Sequence, residues 1–148
     1  MEAALEQAAL GLEEGELPIG SVVVAEGEIV ARSYWRLGNG MLAHPELVAL
    51  QQANRRGVTL VTTLEPCLLC MAAAMFSFAE RVVYALESPT DGGTLIGDVW
   101  DPAAGSVAPY RFPSVSGGVR CDESAQLIAE FLDRHPGSPL ARWAETLL

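Results

Sequence analysis

Val58-Thr59-Leu60-Val61-Thr62-Thr63-Leu64-Glu65-Pro66-Cys67-Leu68-Leu69-Cys70-Met71-Ala72-Ala73-Ala74-Met75-Phe76-Ser77-Phe78-Ala79-Glu80-Arg81-Val82-Val83-Tyr84-Ala85-Leu86 decides the fold. Residues 58–63 are rich in β-branched side chains and read as a strand. Residues 67–78 are small and apolar on nearly every face, which predicts a deeply buried helix. Residues 81–86 return to strand composition. Upstream, Leu5, Ala8, Ala9 and Leu12 recur at helical spacing over 2–14, and Gly15 is a plausible stop. Residues 19–25 form a β-branched run, Glu26-Gly27 a turn, and 28–34 the returning strand of a hairpin. Arg36-Leu37-Gly38-Asn39-Gly40 is a loop on its glycines. Pro45 opens a second helix over 45–54, where a missing N–H costs nothing, and Gly57 suits its C-cap. Downstream, 88–118 is rich in Gly, Pro, Asp and Ser, with a short helical piece near 95–100. Such a long segment in a compact domain is usually functional or mobile. Leu127, Ile128, Phe131 and Leu132 share one face of a helix over 122–134, and Ser138-Pro139 opens a last short helix. The order of helices and strands predicts one domain, 1–148. Its class is α/β, a three-layer sandwich with a mixed sheet and helices on both faces.

The same stretch carries the chemistry. Cys67 and Cys70 offer two thiols at a helix start, and His44-Pro45-Glu46 offers an imidazole and a carboxylate at another. Zinc takes nitrogen and sulfur ligands in tetrahedral geometry, and catalytic sites keep three protein ligands and one open position. His44, Cys67 and Cys70 supply those three, and Glu46 is the carboxylate left to handle protons. A helix N-terminus carries partial positive charge, which favours thiolate at both cysteines. His-x-Glu…Pro-Cys-x-x-Cys is the signature of zinc nucleobase deaminases. A Cys-x-x-Cys pair alone also fits a thioredoxin-type redox site, but that leaves Pro66 and Glu46 unexplained. A structural zinc needs a fourth protein ligand. The other histidine, His135, stands before Pro136 at a helix end and reads as a charge partner there.

Composition narrows the partners. The chain has 148 residues and a formal net charge of -10, with nine basic against nineteen acidic residues. Nucleic-acid binding draws much of its affinity from basic residues on phosphate, and the only adjacent pair is Arg55-Arg56. Nucleic acid is therefore not the expected partner. No apolar run reaches the roughly 18 residues of a membrane span, and Met1-Glu2-Ala3-Ala4-Leu5-Glu6 does not read as a signal peptide. Three cysteines, two of them in Cys-x-x-Cys, point to metal use in a reducing compartment, the cytoplasm. Cys121, the third, is expected as a buried small hydrophobe.

These residues resemble the cytidine deaminase superfamily, and most of all the branch of tRNA adenosine deaminase and guanine deaminases. Residues 63–74 resemble its metal helix. Gly15-Glu16-Leu17-Pro18-Ile19-Gly20-Ser21-Val22-Val23-Val24 resembles its first strand entry, and Arg81-Val82-Val83-Tyr84-Ala85 the strand after the metal helix. Gly118-Val119-Arg120-Cys121-Asp122-Glu123-Ser124 resembles the start of its closing helix. The resemblance implies a central mixed five-stranded sheet and a zinc-dependent hydrolytic deaminase. It implies that His44, Cys67 and Cys70 hold Zn²⁺, which lowers the pKa of a water. Glu46 then moves protons to the ring and to the leaving amine. It also implies a homodimer or higher oligomer, with the active site near the interface.

Departures from the branch bear on the substrate. Alanine usually stands between the His and the Glu, in several members with an N–H that contacts the base, and Pro45 has none. An Asn that usually ends the second hairpin strand is Trp35 here. Asn39 is placed to substitute for it from the loop. Trp35 reads equally as a stacking surface for a heterocycle or as hairpin packing. Trp100, with Asp98 and Asp101, is a candidate pocket wall, plain packing being the ordinary role of a Trp. The expected activity is deamination of a free nucleoside, nucleobase or related amino-heterocycle. The alternatives are a tRNA adenosine deaminase and a catalytically silent, zinc-stabilised partner subunit. Neither the ring nor the need for a ribose can be read from the chain.

Overall fold

The computed structural model describes residues 1–100 and 110–148. Its elements run α1 (Glu2–Glu13), β1 (Gly20–Ala25), β2 (Glu28–Tyr34), α2 (Pro45–Ala53), β3 (Thr59–Leu64), α3 (Leu68–Phe76), β4 (Arg81–Leu86), α4 (Ile96–Val99), β5 (Ser114–Ser116), α5 (Cys121–Arg134) and α6 (Pro139–Ala144). Single 3₁₀ turns cover Leu37–Asn39 and Glu145–Leu147. The five strands form one sheet in the order β2-β1-β3-β4-β5. β1 pairs antiparallel with β2 and β3, while β3, β4 and β5 run parallel. The sheet is therefore mixed, as expected, with helices on both faces. β5 is the element that composition hid: three residues inside a Gly- and Ser-rich segment leave no alternation to read.

Alternation along the strands divides the core. Val23, Leu60 and Val82 point to α2 and α3 and pack with Ala49, Leu50, Met71 and Ala74. Val22 and Val61 point the other way, toward Ala4 of α1. Beyond them Leu12, Ile19, Leu64, Ile128 and Phe131 join α1 to α5 and α6. The α1–β1 contact is close enough to need Gly20, where a Cβ would run into the backbone of Ala4 and Ala8. Glu26 and Gly27 both take positive φ, +53° and +84°, which matches the twist of a two-residue hairpin.

Four local expectations are corrected. α3 is not buried all round: Cys70, Met71, Ala74 and Met75 face the core, but Leu68 is 55% and Phe76 62% exposed. A helix made only of apolar residues can still present one face outward, and no periodicity marks which. α2 ends at Asn54, whose left-handed conformation closes the helix three residues before Gly57. Cys121 is only partly buried, because it begins α5 at the surface. His135 stacks on Phe131 of the preceding turn, with ring centroids 4.7 Å apart, and its own N–H caps α5.

Candidate metal centre and pocket

Two helix starts meet at the carboxyl end of β3. His44 is the N-cap of α2, and its extended backbone lets Pro45 take the first helical position. Cys67 is the N-cap of α3, and Cys70 lies one turn inside. His44 Nδ1 stands 3.5 Å from Cys67 Sγ and 3.4 Å from Cys70 Sγ, and the two sulfurs are 3.5 Å apart. A tetrahedral zinc with ordinary bond lengths needs edges of about 3.6 Å for N···S and about 3.8 Å for S···S. The three donors are therefore set a few tenths of an ångström inside a zinc site. They are the group among the described residues that is positioned to hold a metal ion.

The charges within the triad depart from the expectation of two free thiolates. Cys67 is held at a pKa of about 4, first by the thiol of Cys70, which donates to it, and then by the His44 imidazole. Cys70 moves up instead, because it keeps the proton shared with Cys67 and is buried beside it and Glu46. His44 is raised, chiefly by its hydrogen bond with Cys67. A helix N-terminus stabilises a thiolate, but two sulfurs in contact, one of them buried, share one proton until a cation replaces it.

Glu46 lies in the first turn of α2 and is 4% exposed. Its Oε1 accepts from Thr62 Oγ1 at 3.0 Å, and Thr62 in turn accepts from Ser21 Oγ at 2.9 Å. Its Oε2 lies 3.4 Å from Cys70 Sγ. Burial raises its pKa above the ordinary carboxylate value, with the Thr62 hydroxyl opposing. So β1 and β3 hold this carboxylate from behind and leave Oε2 beside Cys70, one of the three candidate ligands.

A cavity of about 200 Å³ opens over the triad. Leu17, Ile19 and Trp35 wall it from the hairpin side, and Leu140 and Trp143 of α6 pack against the same apolar cluster and complete that wall. Its polar lining is His44, Glu46, Glu65, Cys67 and Asp91, and none of the nine arginines lines it. Trp35, 8% exposed, meets the His44 ring edge-on with centroids 5.4 Å apart. Its indole N–H has no hydrogen-bond acceptor among the described residues. Pro45 also lines the cavity, whereas Asn39 sits on a neighbouring surface groove with Met41 and Leu42. Trp100 is 41% exposed and is not among the lining residues. Asp101 falls outside the described residues. Leu140, Trp143, Glu65 and Asp91 were not legible as pocket residues. Packing of the C-terminal helix and of the loop after β4 brings Leu140, Trp143 and Asp91 to the metal centre, while Glu65 directly follows β3, two residues before Cys67.

The comparisons agree with this geometry. The chain is 34% identical over 142 residues to the tRNA-specific adenosine deaminase of Agrobacterium fabrum, covering 88% of this chain and 90% of that one. It is also 34% and 39% identical to the tRNA(Ile)-lysidine synthases of Deinococcus deserti and Deinococcus radiodurans, but spans only 23% of their length. Among solved structures it resembles a chain from a study of A-to-I editing by tRNA:A34 deaminases, with a TM-score of 0.74, 31% identity and coverage of 86% and 96%. The guanine deaminase of Nitrosomonas europaea shares the fold, with a TM-score of 0.68, 22% identity and coverage of 88% and 81%. The family model of the cytidine and deoxycytidylate deaminase zinc-binding region matches residues 1–86, which contain both helix starts of the metal centre, and the chain belongs to that family.

Proposed function

We propose that this chain is a zinc-dependent hydrolytic deaminase of a free nucleoside, nucleobase or related amino-heterocycle. It converts a ring amino group to a carbonyl and releases ammonia. The observation that carries the reading is a small, aromatic-walled cavity over His44, Cys67 and Cys70, with a buried carboxylate inside it and no cationic lining. Zinc there supplies a water of lowered pKa as the attacking group. Glu46 would carry the two protons of that water in turn, the first to the ring nitrogen and the second to the amine, which leaves as ammonia. Its raised pKa suits both directions of transfer. Trp35 braces His44 and walls the pocket beside the base. Pro45 removes an N–H donor from the floor, so the preferred ring is read there through other contacts.

A free, uncharged substrate fits the wider surface. The chain has no lysine, and all nine of its basic residues are arginines. Arg36, Arg120 and Arg134 are tied to Glu14, Glu123 and the pair Glu13 and Glu130. Arg55 and Arg56 follow the far end of α2, a helix of nine residues that begins at His44. At about 1.5 Å per residue they stand more than 10 Å from the metal centre.

A second reading, deamination of adenosine in tRNA, is favoured by the relatives of that activity, and the remaining alternative is a silent partner subunit. Within the proposal the chain is one cytoplasmic domain that works as a homodimer. Among the described residues no helix is long and apolar enough to cross a membrane. The dimer reading is supported by an exposed apolar face bordered by Arg55 and Arg56. Leu68, Leu69 and Phe76 of α3 lie there, next to α2, whose one charged side chain, Glu46, is buried. Two copies at -10 each meet with least repulsion on such a face.

An ammonia-release screen of the zinc-loaded protein on free bases, nucleosides and tRNA tests the reading. Release from a base or nucleoside that disappears in Glu46→Ala supports it. Turnover of tRNA alone, with tight salt-sensitive binding, establishes the second reading. Inactivity of both proteins on every substrate favours the silent subunit.

A further inference from the structure

The loop after β4 is built around one carboxylate. Glu65 Oε2 accepts from the Ser88 backbone N–H at 3.0 Å. Its Oε1 accepts from the N–H and the hydroxyl of Thr94, at 3.3 and 2.5 Å. Gly93 N–H donates to Pro66 O at 2.8 Å, and Gly92 bridges to Cys67. Glu65 thus fixes both ends of residues 88–94 against the start of the metal helix. Between those ends stands Asp91, exposed at the cavity mouth, with one carboxylate oxygen accepting from the buried Ser88 hydroxyl. Among the described residues its other oxygen has no hydrogen-bond donor, and no arginine lines the cavity to neutralise it.

Resting on the deaminase reading of this cavity, we propose that Asp91 is a specificity-determining residue and Glu65 the residue that positions it. The free oxygen of Asp91 accepts an N–H or O–H of the substrate at the mouth. The same charge repels a phosphate there, so the site takes unphosphorylated nucleosides or bases in preference to nucleotides. A carboxylate held by a buried hydroxyl cannot turn away to relieve that repulsion. Pocket walls of Trp35, Leu140 and Trp143 supply apolar contact to any base, so discrimination falls to the polar group at the rim.

Equilibrium titrations of the full zinc-loaded chain test this, with the fluorescence of Trp35 and Trp143 as the signal. The probes are adenosine, cytidine and guanosine, each against its 5′-monophosphate at fixed ionic strength. Wild type is expected to bind at least one nucleoside about 10-fold more tightly than its monophosphate, the size of one like-charge contact near a protein surface. Asp91→Asn brings that ratio to within about 2-fold. Glu65→Gln moves it in the same direction while zinc content stays at one per chain, which a purely structural defect would not do. Equal binding of nucleosides and monophosphates by wild type overturns the proposal. So does an unchanged ratio in Asp91→Asn, or a failure of all six probes to saturate. An unchanged ratio in Glu65→Gln alone removes the positioning role. If the ratio behaves as expected but neither these probes nor the free bases and tRNA of the screen release ammonia, the deaminase reading fails and the role of Asp91 stands.

Discussion

Gly93→Ala converts the packing of the loop after β4 into a measurement on the metal centre. A Cβ at position 93 would lie 2.6 Å from the carbonyl carbon of Cys67, 2.7 Å from its oxygen and 2.7 Å from Leu68 N. Ordinary contact begins at 3.4 Å, so the backbone of Cys67 or of the loop must move by about 0.8 Å. No flexible side chain is available to absorb the shift, since all three atoms are main chain. Overpacking of this kind costs about 1–3 kcal/mol. The effect on the metal is sharper, because ligand distances tolerate only about ±0.2 Å. Displacing the Cys67 main chain moves one of three donors that now stand 3.4–3.5 Å apart. A loss of about 10- to 100-fold in zinc affinity is expected, the range for perturbations just outside a metal's ligands. Competition with a chromophoric chelator measures it, and thermal melting of the metal-free protein separates the stability cost. Gly38→Ala is the control, with nothing within 4 Å of its Cβ and no unusual φ. If Gly93→Ala binds zinc within 2-fold of wild type, the close approach of the loop to Cys67 is wrong.

Other outcomes follow from the same geometry. Glu46→Gln is expected to lose about 10²- to 10⁴-fold in ammonia release while keeping zinc, since Gln can still accept from Thr62. Burial raises the Glu46 pKa above 4.5, so the folded state holds that proton more tightly than the unfolded chain does. Stability from this source is full below the unfolded value and is lost as pH rises through the folded one. Metal-free Glu46→Gln should therefore melt higher than wild type at pH 8, by a margin that shrinks toward pH 5. A constant margin contradicts the sign. Chelation of zinc should leave Cys67, half-buried with a pKa of about 4, as the first cysteine alkylated by iodoacetamide at pH 7, ahead of buried Cys70, and added zinc should protect it. Mass spectrometry of the labelled peptides decides the order. Trp143→Ala should raise KM more than it lowers kcat by opening one wall of the cavity, and equal loss in both would place Trp143 outside the pocket. Pro45→Ala restores an N–H to the floor and should reorder the preferred substrates; an unchanged ranking rejects its role in reading the base.

The exposed apolar face of α3 shows where one-dimensional reading stops. Leu68, Leu69, Met71 and Met75 are alike in the sequence, yet the first two face outward and the last two reach the core. The side that is covered depends on where β3 and α2 lie. Cys121 shows the same limit: a lone thiol is usually buried, but the first position of α5 is at the surface.

The sequence by itself determined the order of helices and strands apart from β5, the mixed sheet and the donor set of the metal centre. Each of those rests on local chemistry: β-branched runs, helix-start residues, and an imidazole, two thiols and a carboxylate at fixed spacing. Only the tertiary structure decided what surrounds that centre. The walls come from residues about 20 to 100 positions away from the ligands, in Asp91, Leu140 and Trp143. The proton kept by Cys70 and the raised pKa of Glu46 arise from burial and close contact, which spacing does not encode. A ligand set is a local pattern, but a pocket is a set of long-range contacts, and those exist only once the sheet and its two helix layers have closed.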